Sequence, residues 1–202
     1  MPEASQRSPI DFYFDFSSSY TYIGLSRIEA LALRHRRPLN WKPISLGAIF
    51  KERGHAPPST DYAKGRYLYL DVARCAAEQN LPYKSPAVFP FNGIPAARGF
   101  LWLQSLLSSR AVEYAHRVFD HAFASGGDVS RVETLCDIAK DCGADPAAFA
   151  LAIQSPAIKA QLVELTAEAS RRGVFGAPTL ICDGEMFWGA DRIEQMDRWL
   201  SK

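Results

Sequence analysis

Residues 10–16, reading IDFYFDF, constrain the fold more than any other stretch. They alternate strictly, with Ile10, Phe12, Phe14 and Phe16 on one side and Asp11, Tyr13 and Asp15 on the other, in residue types that favour extended chain. This is a strand. Ser17, Ser18 and Ser19 follow at once, and any of the three could supply the N-cap oxygen of a helix starting near Tyr20. Ile23, Ile28 and Leu31, with Leu25 and Leu33 on a broader face, give that helix an apolar side. Arg34, His35, Arg36 and Arg37 place positive charge at its C-terminus, where the helix dipole favours it, and Pro38 stops it. A second strand over 39–44 completes a β-α-β unit, for which a right-handed crossover is expected.

Beyond Ile44 the pattern changes. Residues 45–173 show helical periodicity broken by proline-rich loops, with helices expected over 64–79, 96–107, 111–124, 132–141 and 155–172 and an irregular connection over 82–95. Gly126-Gly127-Asp128 and Gly143-Ala144-Asp145-Pro146 read as further helix breaks. Strand character then returns at 179–182, with a turn at Asp183-Gly184, a short strand over 185–188 and a last helix over 191–200. Asp-Gly between two apolar runs is a strong hairpin signal. The expected organisation is an α/β domain formed by 10–44 and 174–202, in the order β-α-β then β-β-α, carrying a large all-helical insertion over 45–173.

Composition narrows the function classes. With 202 residues, 48% hydrophobic, 22% charged and a formal net charge of +1, the chain belongs with ordinary globular proteins, and nothing favours nucleic acid. No apolar run approaches the roughly 20 residues that span a bilayer, so no membrane association is expected. The opening MPEASQRSP lacks the apolar middle of a secretory signal, and a soluble, cytoplasmic protein is expected. Cys75, Cys136, Cys142 and Cys182 form no C-x-x-C pair and no zinc-type spacing, so they read as buried or reduced thiols and no metal is expected.

Three segments could carry chemistry. The first is Phe14-Asp15-Phe16-Ser17-Ser18-Ser19-Tyr20, where a strand runs into a helix start whose unpaired N–H groups favour anions, thiolates included. Serines at such a place are also ordinary caps. The second is Gly173-Val174-Phe175-Gly176-Ala177-Pro178-Thr179, which taken alone is a turn. The third is Met186-Phe187-Trp188-Gly189-Ala190-Asp191-Arg192, where Asp191 is placed to cap the last helix and where a glycine-rich approach to a helix N-terminus can also hold a carboxylate or an ammonium group of a ligand.

Taken together and in this order, flanking a helical insertion, the three segments resemble the DsbA-type thioredoxin superfamily. Within it they are most similar to the 2-hydroxychromene-2-carboxylate isomerases and their relatives, the kappa-class glutathione transferases. The resemblance covers essentially 11–200 and implies a thioredoxin-like fold. Family members carry a D-F-x-F-D-F-x-S-P-Y-like opening in which serine replaces the first cysteine of the redox pair; that serine matches Ser18, with Ser19 standing where proline is usual. The resemblance implies glutathione as cofactor, with its sulfur hydrogen-bonded by Ser18, its backbone paired at Ala177 before a cis Pro178, and its γ-glutamyl end on Trp188, Gly189, Ala190 and Asp191.

It further implies an isomerase acting on a small aromatic-derived carboxylate by reversible thiolate addition, in a homodimer. Lys51 and Lys64 are the candidates to face the substrate's negative charge, although Lys64 reads equally as a solvated helix charge. Pro58-Ser59 and Asn92-Gly93 do not match the Asn-Arg pair and the tyrosine that some isomerases place around the substrate. The alternatives are a kappa-like transferase that releases a conjugate, and a DsbA-like binding protein without catalysis. Disulfide exchange is disfavoured, because no cysteine stands near Ser18 in sequence.

Overall fold

A computed structural model of the chain describes residues 7–56, 63–86 and 88–202. The alternating run becomes β1 (Ile10–Phe14). It lies at the middle of a four-stranded sheet, parallel to β2 (Leu39–Pro43) and antiparallel to β3 (Thr179–Cys182), which pairs antiparallel with β4 (Glu185–Trp188) in the order β2-β1-β3-β4. Between β1 and β2 runs α1 (Ser19–Arg34), so the β-α-β unit forms as its pattern predicts. The turn at Asp183-Gly184 closes the β3-β4 hairpin, with both residues at positive φ.

Both faces of β1 are buried. Ile10, Phe12, Phe14 and Phe16 enter the main core, while Tyr13 enters a smaller cluster with Ile44, Ile49, Ala169, Val174 and Ile181. The parity read from sequence therefore holds, but the second face meets helices instead of water. The helices between the two sheet segments are α2 (Leu46–Glu52), α3 (Ala63–Glu78), α4 (Ile94–Leu106), α5 (Ser108–Phe119), α6 (Val132–Asp141), α7 (Pro146–Ala152) and α8 (Pro156–Arg171), and α9 (Ile193–Leu200) closes the chain. Their aromatic rings continue the core of the sheet: Phe100 of α4 meets Phe14 at 5.3 Å, and Phe119 of α5 stacks on Phe16 at 5.0 Å. Such pairs add to the area term for ring burial.

Several boundaries differ from the pattern. The helix expected over 111–124 ends at Phe119 and continues as a π-helical turn over Asp120–Ala124. The short helices α2 and α7 were not foreseen. For α7, the segment read as a break contains its start signal, since Asp145 accepts from the Ala148 N–H at 2.7 Å and Pro146 occupies the first helical position. The last helix begins later than expected, after a 3-10 turn over Ala190–Arg192. No helix among the described residues is long and apolar enough to cross a membrane.

Candidate active site

The carboxyl end of β1 delivers the chain into the start of α1, and there the three segments meet. Ser18 is the N-cap, in extended conformation, and its Oγ accepts from the Thr21 N–H at 3.1 Å. The same hydroxyl donates to the carbonyl of Ala177 at 2.9 Å, across 159 positions of sequence. Ser18 is thus a cap and also the link to the second segment, where the Ala177–Pro178 peptide bond is cis. Ser17 and Ser19 do not cap the helix.

The third segment is tied to the second by its backbone and by an aromatic ring. The Gly189 N–H donates to the Pro178 carbonyl at 2.9 Å. Gly189 has φ +103°, where a side chain is rarely tolerated, and a Cβ there would stand 2.5 Å from Asp191 Oδ1. The Trp188 indole lies on Gly176, where a Cβ would come within 2.2 Å of its Nε1, and meets Phe175 edge-on at 4.8 Å. Phe175 is 41% exposed and Trp188 50%, so an open aromatic pair borders the turn that Ser18 contacts.

Asp191 does not cap α9. Its carboxylate is exposed and pairs with Arg192 at 3.1 Å, and its field helps to raise the pKa of Cys75 on α3. That helix forms another wall. Tyr20 donates to Asp71 at 2.5 Å, and Tyr67 donates to the same carboxylate at 3.2 Å. Burial first, then the Asp71 carboxylate, raises the Tyr20 phenol well above its ordinary pKa, so it stays a donor.

Lys51 lies near the end of α2 and Lys64 near the start of α3; both are exposed, and neither makes an ion pair among the described residues. Pro58 and Ser59 lie outside the described residues. The four cysteines form no disulfide. Burial raises the pKa of each, Cys142 to about 11, so the chain's own thiols are poor nucleophiles at neutral pH. No group of side chains able to hold a metal occurs among the described residues.

A groove of about 460 Å³ runs elsewhere, along the outer edge of β2 between Trp41, Gln104, Val112 and Leu165. Its ionisable group, Lys42, is committed to Glu168 at 3.0 Å, so the chemically equipped surface is the one around Ser18. Sequence reading gave no role of their own to three residues there: Phe175 and Asp15, which stand inside the candidate segments, and Asp71, on the helix that carries Lys64. The signal for Asp15 was an acid two residues before a serine, the spacing at which a carboxylate takes a backbone N–H in an Asx turn.

A four-stranded sheet interrupted by helices, with a helix N-terminus facing the Ala177–Pro178 turn, defines a thioredoxin-type protein with serine as the N-cap of its first helix. The DSBA-like thioredoxin domain family matches residues 9–201, and the chain belongs to that family, alongside the 2-hydroxychromene-2-carboxylate isomerases. It is 30% identical to the 2-hydroxychromene-2-carboxylate isomerase of Pseudomonas putida, over 93% of this chain and 92% of that one. With the human glutathione S-transferase kappa 1 it shares 26% identity, over 96% of this chain and 91% of the relative. A solved structure of a 2-hydroxychromene-2-carboxylate isomerase superposes with a TM-score of 0.84 at 29% identity, covering 95% of this chain and 94% of that one.

Proposed function

We propose that the protein is a glutathione-dependent isomerase acting on an unsaturated, aromatic-derived carboxylate. The single observation that carries this reading is the Ser18 hydroxyl, held at a helix N-terminus and hydrogen-bonded to the Ala177 carbonyl. The residues present suit glutathione. An extended tripeptide can pair with the backbone at Ala177 as an added strand. The left-handed backbone of Gly189 and the exposed carboxylate of Asp191 suit a γ-glutamyl ammonium group. When bound, glutathione supplies a thiolate that adds reversibly to a conjugated double bond, with no net redox change.

The protein's own groups do the rest. Ser18 has one proton, now given to Ala177. When a ligand N–H donates to that carbonyl instead, the Ser18 hydroxyl is released to turn toward a sulfur while its lone pairs still receive Thr21. No hydrogen bond is lost in the exchange. A hydroxyl donor at the positive end of α1 favours a thiolate over a thiol, whose ordinary pKa is about 8.5. Ser18 therefore stabilises a nucleophile and is not one itself, since no base adjoins it. Lys51 and Lys64 offer charge to the substrate carboxylate.

Calorimetry tests the reading: reduced glutathione should bind, and analogues without the γ-glutamyl ammonium should bind less well. Absence of binding at millimolar concentration would refute it. The likeness to human glutathione S-transferase kappa 1 supports a second reading, a transferase releasing a conjugate, which product analysis separates from isomerisation.

A further inference from the structure

Among the described residues, Asp15 is the only Asp, Glu, Lys or Arg that is buried, and it makes no ion pair. An unpaired carboxylate out of water is costly unless hydrogen bonds replace its hydration. Three do. Oδ1 accepts from the Ser17 N–H and the Ser17 hydroxyl, each at 2.7 Å, and Oδ2 accepts from the Leu46 N–H at 2.7 Å. The Asp15 backbone carbonyl takes the Ser18 N–H at 2.9 Å. Gly93, the residue before α4, lies against the same carboxylate, leaving room for no more than a tight Cβ at 3.1 Å from Oδ1 and 3.2 Å from Ser17 N.

Thus one carboxylate joins the turn that presents Ser18, the first amide of α2 and the entry to α4. We infer that Asp15 is a positioning residue, which sets the place of the Ser18 hydroxyl relative to Ala177 by fixing the Ser17 turn on the start of α2. The inference rests on the reading of Ser18 as the thiolate's donor. A carboxylate is required because two of its donors are backbone N–H groups, one on each oxygen, and neither can reverse its role. An amide in its place must turn its own NH₂ toward Ser17 N–H or Leu46 N–H, so one tether is lost whichever way it lies.

Asp15→Asn and Gly93→Ala attack this joint from two sides, the second by pushing a Cβ against the carboxylate and the Ser17 amide. Without ligand, hydrogen exchange at the Ser17 and Leu46 amides should quicken in Asp15→Asn while amides of β1 keep their protection; unchanged exchange at both sites overturns the inference. With glutathione bound, the thiol absorbance midpoint should rise by about one pH unit, a tenfold loss of thiolate below it. S-methylglutathione, which has no thiol to ionise, should bind within about twofold of the wild type, as expected when the backbone clamp survives. An unmoved midpoint, or equal weakening of both ligands, refutes a positioning role. If Asp15→Asn does not fold, Gly93→Ala decides, with the same direction expected. If the wild type binds neither ligand, the proposed function fails and the amide exchange alone decides this inference.

Discussion

Ser18 serves two backbones at once, and its two duties can be separated by substitution. Alanine removes the cap and the donor together, whereas glycine, which is nearly as good an N-cap, removes the hydroxyl while largely sparing the helix start. Ser18→Ala should therefore melt lower than Ser18→Gly, by a stability difference of about 1 kcal/mol. Both should lose on the order of 1.5–3 kcal/mol of thiolate stabilisation, or roughly tenfold to more than a hundredfold in rate. A Ser18→Gly enzyme with the wild-type rate would make Ser18 only a cap. Gly176 offers a second test on the opposite wall. The Trp188 indole occupies the place of its missing Cβ, so Gly176→Ala should displace the ring, change its fluorescence and weaken glutathione binding, while Gly47→Ala, with open space around it, should do neither.

The elements are held in place by a few polar ties as well as by their apolar faces. His116 of α5 bonds Glu29 of α1 at 3.0 Å, and that hydrogen bond raises the imidazole pKa above the ordinary 6.5 against the opposing effect of burial. Since the folded pKa lies above the unfolded one, this tie contributes fully below about pH 6.5 and fades as pH rises through the folded value. His116→Gln should destabilise the protein more at pH 5.5 than at pH 8, as read from urea midpoints; a gap that widened with pH would contradict the assignment. At this scale the sequence was most legible where a pattern was long. The β-α-β start, the hairpin and α6 stand where the periodicity put them. Helices α2 and α7 are each seven residues, too short to establish a period, and only their caps at Ser45 and Asp145 marked them. The burial of Asp15 was not legible. Alternation tells which face a side chain is on, but not that α2 will arrive to cover it. Of the two roles open to Asp191, capping falls away because the chain makes a 3-10 turn over Ala190–Arg192 before α9 begins.

Across the whole molecule, one aromatic core joins the sheet to the helices between its two sequence segments. Phe14 and Trp41 from the strands close on Phe100 of α4, and Phe16 packs on Tyr114 and Phe119 of α5. Phe100→Ala should cost about 3–5 kcal/mol. Unfolding should remain a single transition, with tryptophan fluorescence and far-ultraviolet dichroism coinciding in urea. Two separated transitions would show that the helices fold independently of the sheet. The bond between Ser18 and Ala177 has a consequence for the growing chain. One of its partners is made 159 residues before the other, with the helices in between. A nascent chain still short of Gly189 has its serine in place and nothing to complete the cradle. On the proposed function, glutathione can therefore be held only once synthesis has passed Gly189, and a chain cut short before that residue should bind none.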